Sequence, residues 1–221
     1  MLKGVIFDID GTLVDSNDAH ARSWVDTFAE AGYDVPFNAV RPLIGMGADK
    51  LLPRTIGVGH DSEEGKKLTK RRSEIFRERY LPQLKPFDGS RELVLRVRDD
   101  DLKAIVATSA KDQELKGLLE AAQVEDLMEE KATASDAKRS KPDPDIVHAA
   151  IEESGISSKH LIMIGDTPYD VEAAGKARVR TIAFRCGGWG DDALKGAAEI
   201  YDGPANLLER YDSSLIGKER K

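Results

Sequence analysis

Four short, mostly apolar runs, each closing on a polar or glycine-bearing turn, limit most strongly what this chain can fold into. Val5-Ile6-Phe7 closes on Asp8 and then Gly11-Thr12, and Leu102 to Ala107 closes on Thr108-Ser109. Leu161 to Ile164 closes on Gly165-Asp166, and Val179 to Phe184 on a glycine-rich turn. Such runs, apolar rather than alternating, suit strands covered on both faces of a parallel sheet. Helical patterns separate them. Leu93, Val94 and Val97 share a face after Ser90, a candidate N-cap, and Leu115, Leu118, Leu119 and Ala122 form a second stripe. Ile146, Ala149 and Ala150 follow Pro142 and Pro144 and run to a turn at Gly155; Val171 and Ala174 lie on a short helix ending near Gly175. Strand–helix alternation predicts an α/β fold with right-handed crossovers. A weaker strand is expected near Lys131 to Ala134, and the polar tail from Ser213 to Lys221 is expected to fray.

Residues 16–85 break the alternation. Trp24, Phe28 and Ala31 recur at helical spacing before Gly32, a second helix is expected over Ala48 to Arg54, and a third over Ser62 to Leu81, with Leu68, Ile75 and Phe76 on its apolar side. Three helices in a row between the first two strands predict an inserted helical domain over 16–85, closed by Pro82 and Pro86, on a discontinuous main domain of 1–15 and 86–221. Of the 221 residues 40% are hydrophobic and 33% charged, as in a soluble globular protein, and the net charge of −7 disfavours a broad nucleic-acid face. It leaves room for a small anionic substrate, because a bound cation and a few basic side chains reverse the local field. Cys186 is the one cysteine, which points to a reducing compartment. The first apolar stretch is too short for a signal-peptide core and no run reaches membrane-span length, so a cytoplasmic protein without membrane contact is expected.

Ligands of open parallel sheets bind beyond the carboxyl ends of the strands. Asp8, Asp10, Thr108 and Asp166 all stand there, and Lys141, in Ser140-Lys141-Pro142-Asp143-Pro144, can reach the same edge. Clustered carboxylates invite a hard divalent cation such as Mg2+. A lysine beside them offsets charge and holds a phosphoryl oxygen, a threonine hydroxyl donates to another, and a carboxylate can serve as nucleophile. Asp10 suits a general acid and then a base, provided its pKa is held high, which desolvation under the helical insert would achieve.

These residues carry a resemblance. Asp8-Ile9-Asp10-Gly11-Thr12-Leu13-Val14-Asp15-Ser16 resembles the first signature of the haloacid dehalogenase superfamily. Thr108 resembles the second, Lys141 in Lys-Pro-Asp-Pro-Asp the third, and Gly165-Asp166-Thr167-Pro168-Tyr169-Asp170 the fourth. The four occur in order, and the insert occupies the position of that superfamily's first-type helical cap, as in the phosphoglycolate phosphatase and β-phosphoglucomutase-like branch. The resemblance implies a three-layer Rossmann-like core and an Mg2+-dependent phosphatase acting on a small phosphorylated metabolite through an aspartyl-phosphate. It implies Asp8 as nucleophile and Asp10 as acid and base. The ion would be held by Asp8, the Asp10 backbone carbonyl, Asp166 and Asp170, and the phosphoryl group by Thr108, Ser109 and Lys141. A monomer or weak homodimer is expected.

Other positions admit two readings. His20 is a surface or interface histidine, or it orients Asp10 and the substrate. Gly45-Met46-Gly47 with Lys50 is a loop entering the site and touching substrate, or a loop that starts a helix. Arg71 and Arg72 read as a solvated face, or as a face from which one of the two reaches the substrate. Trp24 and Phe28 read as insert core, and Cys186 with Gly187-Gly188-Trp189-Gly190 as structural. Within the resembled superfamily an acid at position 10 favours phosphate chemistry over dehalogenation or phosphonate cleavage. The alternatives are a phosphosugar mutase of the β-phosphoglucomutase kind and a non-catalytic binding protein on the same fold. Gly165-Asp166 in place of the mutase's Glu-Asp pair favours hydrolysis, and the full set of carboxylates disfavours a non-catalytic role.

Overall fold

A computed structural model of the protein describes residues 1–110, 112–128 and 130–220. The chain runs β1 (Gly4–Phe7), α1 (Asn17–Glu30), α2 (Phe37–Val40), α3 (Ala48–Thr55), α4 (Glu63–Ile75), α5 (Ser90–Asp99), β2 (Lys103–Ala107), α6 (Asp112–Ala121) and β3 (Glu130–Ala132). It continues through α7 (Asp145–Ser154), β4 (Leu161–Gly165), α8 (Pro168–Lys176), β5 (Arg180–Phe184), α9 (Asp191–Leu194), β6 (Glu199–Tyr201), α10 (Pro204–Glu209) and α11 (Leu215–Glu219). The six strands form one sheet in the order β3-β2-β1-β4-β5-β6, and every pairing is parallel.

The apolar runs fold this way because both sheet faces are covered. Val5, Phe7, Ala104, Val106, Ile162 and Ile164 pack on one side against Leu93, Val94 and Val97 of α5, Leu115, Leu118 and Leu119 of α6, Leu207 and Ile216. Ile6, Ile105, Leu161 and Met163 point to the other, against Ile146, Val147 and Ala150 of α7 and Ala173 and Ala174 of α8. Strand side chains alternate faces, so a two-sided core requires apolar residues at successive positions.

The topology places the site. The chain starts at the sheet centre, fills one side with β2 and β3, then crosses to β4 on the other side of β1. Phe7 is in register with Val106 and with Ile164, so Asp8, Thr108 and Asp166 leave neighbouring strands at one edge. That is the topological switch point of an open α/β sheet.

Several sequence expectations change at element ends. Gly89, at φ 80°, precedes α5, and the Ser90 hydroxyl does not cap it but donates to the Leu13 carbonyl at 2.8 Å. The weak strand is Glu130–Ala132, one residue earlier and shorter than expected. The third insert helix is α4, capped by Ser62, which accepts from the Gly65 N–H; it then widens into a π turn over Phe76–Tyr80 and a 3-10 turn over Leu81–Gln83. The short α2 carries no long periodicity, and β6 is three residues long; neither was expected. The tail does not fray over the residues described. Ile216 is fully buried, Ser214 caps α11, and the Leu2 N–H donates to the Glu219 carbonyl at 2.8 Å.

The helices between β1 and α5 gather an apolar cluster of their own from Ala21, Trp24, Phe28, Val40, Ile44, Leu51, Leu52 and Leu68. The two connections to the rest run side by side, with the Asp15 N–H on the Lys85 carbonyl at 3.0 Å and a bridge between Val14 and Pro86.

Candidate active site

The turn after β1 is built on Gly11. Its φ of 72° is left-handed, and a Cβ there would fall 2.1 Å from Asn17 Nδ2 and 2.3 Å from Asp166 Oδ2. Only glycine lets the backbone pass so close to Asp166, so β1 ends with Asp8 facing the end of β4. The Asp8 N–H donates to the Ile164 carbonyl at 2.9 Å, which fixes the backbone of Asp8 against β4.

Three carboxylates meet there. Asp8, Asp166 and Asp170 are buried, and each offers an oxygen within 4.8 Å of the others. The Asp166 oxygens accept from the Thr12 hydroxyl at 3.0 Å and from Asn17 Nδ2 at 2.8 Å. Asp170 stands in the first turn of α8, where Thr167 caps the helix and Asp170 Oδ2 accepts the Thr167 N–H (3.0 Å) and hydroxyl (2.6 Å). That fixes Asp170 Oδ1 toward Lys141, whose Nζ lies 2.7 Å away and 2.9 Å from Asp8 Oδ1. The Lys141 ammonium also donates to the Ala107 carbonyl at 3.2 Å.

Charge does not balance within this group. Three buried carboxylates face one buried ammonium, and burying an unpaired ion is costly. Burial pushes the Asp8 carboxyl up to about 7; Lys141 opposes the rise, while Asp170 and Asp10 add to it. Burial, then Asp170 and Asp8, raise Asp166 well above the carboxylate range. Burial acts to lower Lys141, but Asp170 and Asp8 outweigh it and hold the ammonium above its ordinary value. A cluster of hard oxygen donors with this surplus of negative charge fits a divalent cation.

Asp10 belongs to a second group. Its side chain stands apart from the carboxylate cluster, and Oδ1 accepts from the Ser16 hydroxyl and from His20 Nε2, both at 2.6 Å. Arg72 Nη2 contacts His20 Nδ1. A guanidinium can only donate, so the network assigns the His20 proton to Nε2 and directs it at Asp10. Arg72 in turn donates to both Glu114 oxygens, at 3.1 and 3.0 Å, and Glu114 also accepts from the Ser73 hydroxyl at 2.5 Å. Phe76 stacks on the His20 ring at a centroid distance of 4.1 Å, and the Arg72 guanidinium lies over the rings of Phe76 and Trp24. Burial would raise Asp10, but the His20 imidazole, the Ser16 hydroxyl and Arg72 outweigh it and leave its carboxyl below the ordinary value. This reverses the expected direction: over Asp10 the helical insert presents a hydrogen-bond donor rather than dry apolar surface.

Between these groups lies a cavity of about 100 Å³. Asp8, Asp10, Ser109, His20, Arg72 and the loop Ile44–Ala48 line it, so Gly45 and Gly47 do enter the site. Thr108 is fully buried and its hydroxyl accepts the Ala110 N–H at 3.0 Å; the Ser109 hydroxyl reaches the Gly45 carbonyl at 3.4 Å. Lys50 turns away from this cavity and pairs with Asp143 Oδ2 at 2.6 Å. Arg71 pairs with Glu30 at the surface, as a solvated face would, whereas Arg72 does not.

Sequence reasoning missed the roles of five residues. Thr12 and Asn17 fix Asp166, and both lie in or just after the first motif, a signal that was available. Glu114 and Arg72 meet across 42 positions, which no periodicity reveals. Gly187 was read as a structural turn, yet a Cβ there would lie 1.8 Å from Asp166 Oδ2.

The model of the haloacid dehalogenase-like hydrolases matches residues 5–184, from the first strand to the end of β5. The chain belongs to that family. It is 33% identical over 194 residues to the chloroplastic protein SUPPRESSOR OF QUENCHING 1 of Arabidopsis thaliana; the match covers 83% of this chain but 18% of the plant protein. It is 30% identical over 179 residues to a phosphoglycolate phosphatase of Caulobacter vibrioides, covering 79% and 76% of the two chains. Among solved structures, a hydrolase from Pseudomonas syringae superposes with a TM-score of 0.87 at 26% identity, over 96% of this chain and 98% of that one. Among the described residues no helix is long and apolar enough to cross a membrane.

Proposed function

We propose that the protein is a Mg2+-dependent phosphatase of small phosphate monoesters, working through an aspartyl-phosphate on Asp8. The observation that carries this reading is the meeting of Asp8, Asp166, Asp170 and Lys141 at the carboxyl edge of β1 and β4, with a charge surplus that a cation answers. Phosphatase names among family relatives support it. Asp8, Asp166 and Asp170, with the Asp10 backbone carbonyl, would hold the ion, which supplies positive charge to the transferring phosphoryl group and to the acids around it.

An Asp8 oxygen attacks phosphorus as the bond to the ester oxygen breaks. Lys141, Thr108 and Ser109 hold the equatorial oxygens, so most of the acceleration comes from positioning and charge. Asp10 delivers a proton to the leaving oxygen. Held ionised at rest, it takes that proton from water or from a monoanionic phosphate ester as substrate arrives, while the His20 N–H orients it. The same carboxylate then takes a proton from the water that hydrolyses the acyl phosphate, restoring Asp8 and releasing phosphate. Residues 16–85 act as a cap that brings His20 and the Gly45–Gly47 loop over the reacting groups. Phosphoglycolate and sugar phosphates are the substrate class, in a cytoplasmic setting. Mutase chemistry is disfavoured at Gly165, where a Cβ would stand 2.6 Å from Asp170 Cβ, leaving no space for the side chain of a Glu-Asp pair.

The test is a panel of phosphate esters with and without Mg2+, on the wild type and Asp8→Asn. Phosphate release that needs Mg2+, needs no bisphosphate primer and disappears in Asp8→Asn is expected. Full activity of Asp8→Asn rejects the mechanism.

A further inference from the structure

Lys141 carries the positive charge facing three acids, yet its backbone lies in a stretch, residues 137–144, without helix or strand. What holds that stretch comes largely from the other side of the cavity. The Ser140 hydroxyl donates to Asp49 Oδ1 at 2.5 Å, and the Ser140 N–H to Asp49 Oδ2 at 3.3 Å. The Ser140 carbonyl accepts from Lys50 Nζ, which also pairs with Asp143 at 2.6 Å. All three polar groups of Ser140 are thus engaged by two consecutive residues in the first turn of α3. The approach is close: a Cβ on Gly47 would stand 2.7 Å from both Ser140 Cβ and Asp49 Oδ1. Other supports among the described residues include a turn from the Asp143 N–H to the Ser140 carbonyl, exposed pairs of Arg139 with Asp143 at 3.6 Å and Asp145 at 3.3 Å, and an exposed contact from Lys176 to the Pro142 carbonyl.

We propose that Asp49 and Lys50 are positioning residues for Lys141: by gripping Ser140 and Asp143 they fix the lysine's loop, so that the ammonium faces Asp8 and the phosphoryl group only while the helical insert is seated. This gives Lys50 a role on the enzyme rather than on the substrate. It rests on the phosphatase reading above. A lysine stem has four rotatable carbons, and a displacement of about 1 Å in a group that holds a reacting oxygen can cost on the order of 100-fold in rate.

The experiment measures kcat/KM on p-nitrophenyl phosphate and inhibition by orthovanadate, both with Mg2+ present. Asp49→Ala and Ser140→Ala should each lower kcat/KM by about 10- to 100-fold and weaken vanadate inhibition in step. Ser140→Thr, which keeps the hydroxyl, should recover most of the loss. The Asp49→Ala/Ser140→Ala pair should be no worse than its worse member, and Asp49→Ala should add nothing in a Lys141→Ala background. Wild-type kinetics in Asp49→Ala, or full additivity with Lys141→Ala, overturns the proposal. If Asp49→Ala loses its thermal transition, Lys50→Met decides instead: a loss of vanadate affinity supports the grip, and an unchanged one overturns it. Asp8→Asn separates the two levels. An active Asp8→Asn removes the phosphatase reading itself, whereas an inactive one beside an unaffected Asp49→Ala removes only the grip.

Discussion

On the proposed function, a proton and a cation compete for Asp8. Its carboxyl, raised to about 7 by burial against the pull of Lys141, is partly protonated at neutral pH when no cation is bound. Cation binding then releases a proton, so Mg2+ affinity should fall as pH falls through 7, approaching tenfold per pH unit well below it. Calorimetry in two buffers of different ionisation enthalpy measures both the affinity and the proton released; a flat affinity between pH 6 and 8 contradicts the assignment. The same shift works against folding of the cation-free protein at high pH. A carboxyl whose folded pKa lies above its unfolded value contributes stability while protonated and loses it as pH rises through the folded value. Lys141→Ala removes the one opposing charge among the described residues of this cluster. It should cost about 3–5 kcal/mol at pH 8 and less near pH 6, where the acids take up protons, as urea melts at the two pH values would show. Asp8 and Asp166 were legible in the sequence because each follows an apolar run at a strand end, whereas Asp170, in the first turn of α8, entered only through the family resemblance. The sign of the Asp10 shift was not, because it depends on His20, Ser16 and Arg72 converging from three places in the chain.

At the scale of elements, the sheet could be read because an all-apolar strand has few other homes, and β1, β2, β4 and β5 lie within a residue or two of expectation. Short elements escaped for the opposite reason: β6 and α11 offer too few residues for any period to show. Composition misled at the C-terminus. Leu215 and Ile216 sit among polar neighbours, yet Ile216 completes the core beneath α5, and Arg220 ties the end of α11 to Asp100 at 2.5 Å. Ile216→Ala should therefore cost about 2–5 kcal/mol, the range for emptying a buried aliphatic site. Denaturant unfolding checks it, and a change below about 0.5 kcal/mol, typical of surface positions, would return the tail to the frayed segment first expected. Gly187 makes a like point about loops. Its neighbour Cys186 drew notice as the only cysteine, but the glycine is the position that cannot change without moving Asp166.

Across the whole molecule, the helices between β1 and α5 share packing with the rest of the protein. Phe76 belongs to the main core cluster, with Tyr80, Leu81 and Leu84 packed against it, so the chain after α4 is anchored to the sheet core. The π turn begins at this Phe76, which also stacks on His20, a common place for such a widening. A charge pair, Arg72 of α4 on Glu114 of α6, also joins these helices to the rest of the protein. Glu114 is almost fully buried, so the pair is better understood as a device for alignment than as a source of stability. Glu114→Ala strands the guanidinium and should destabilise the protein by about 3–5 kcal/mol, with loss of activity as His20 is released from its orientation. Glu114→Ala/Arg72→Met removes both charges and should regain most of that stability while activity stays low, because nothing then directs the His20 proton at Asp10. If the double variant regains activity together with stability, the pair serves packing alone, and the line from α6 through Arg72 and His20 to Asp10 has no part in catalysis.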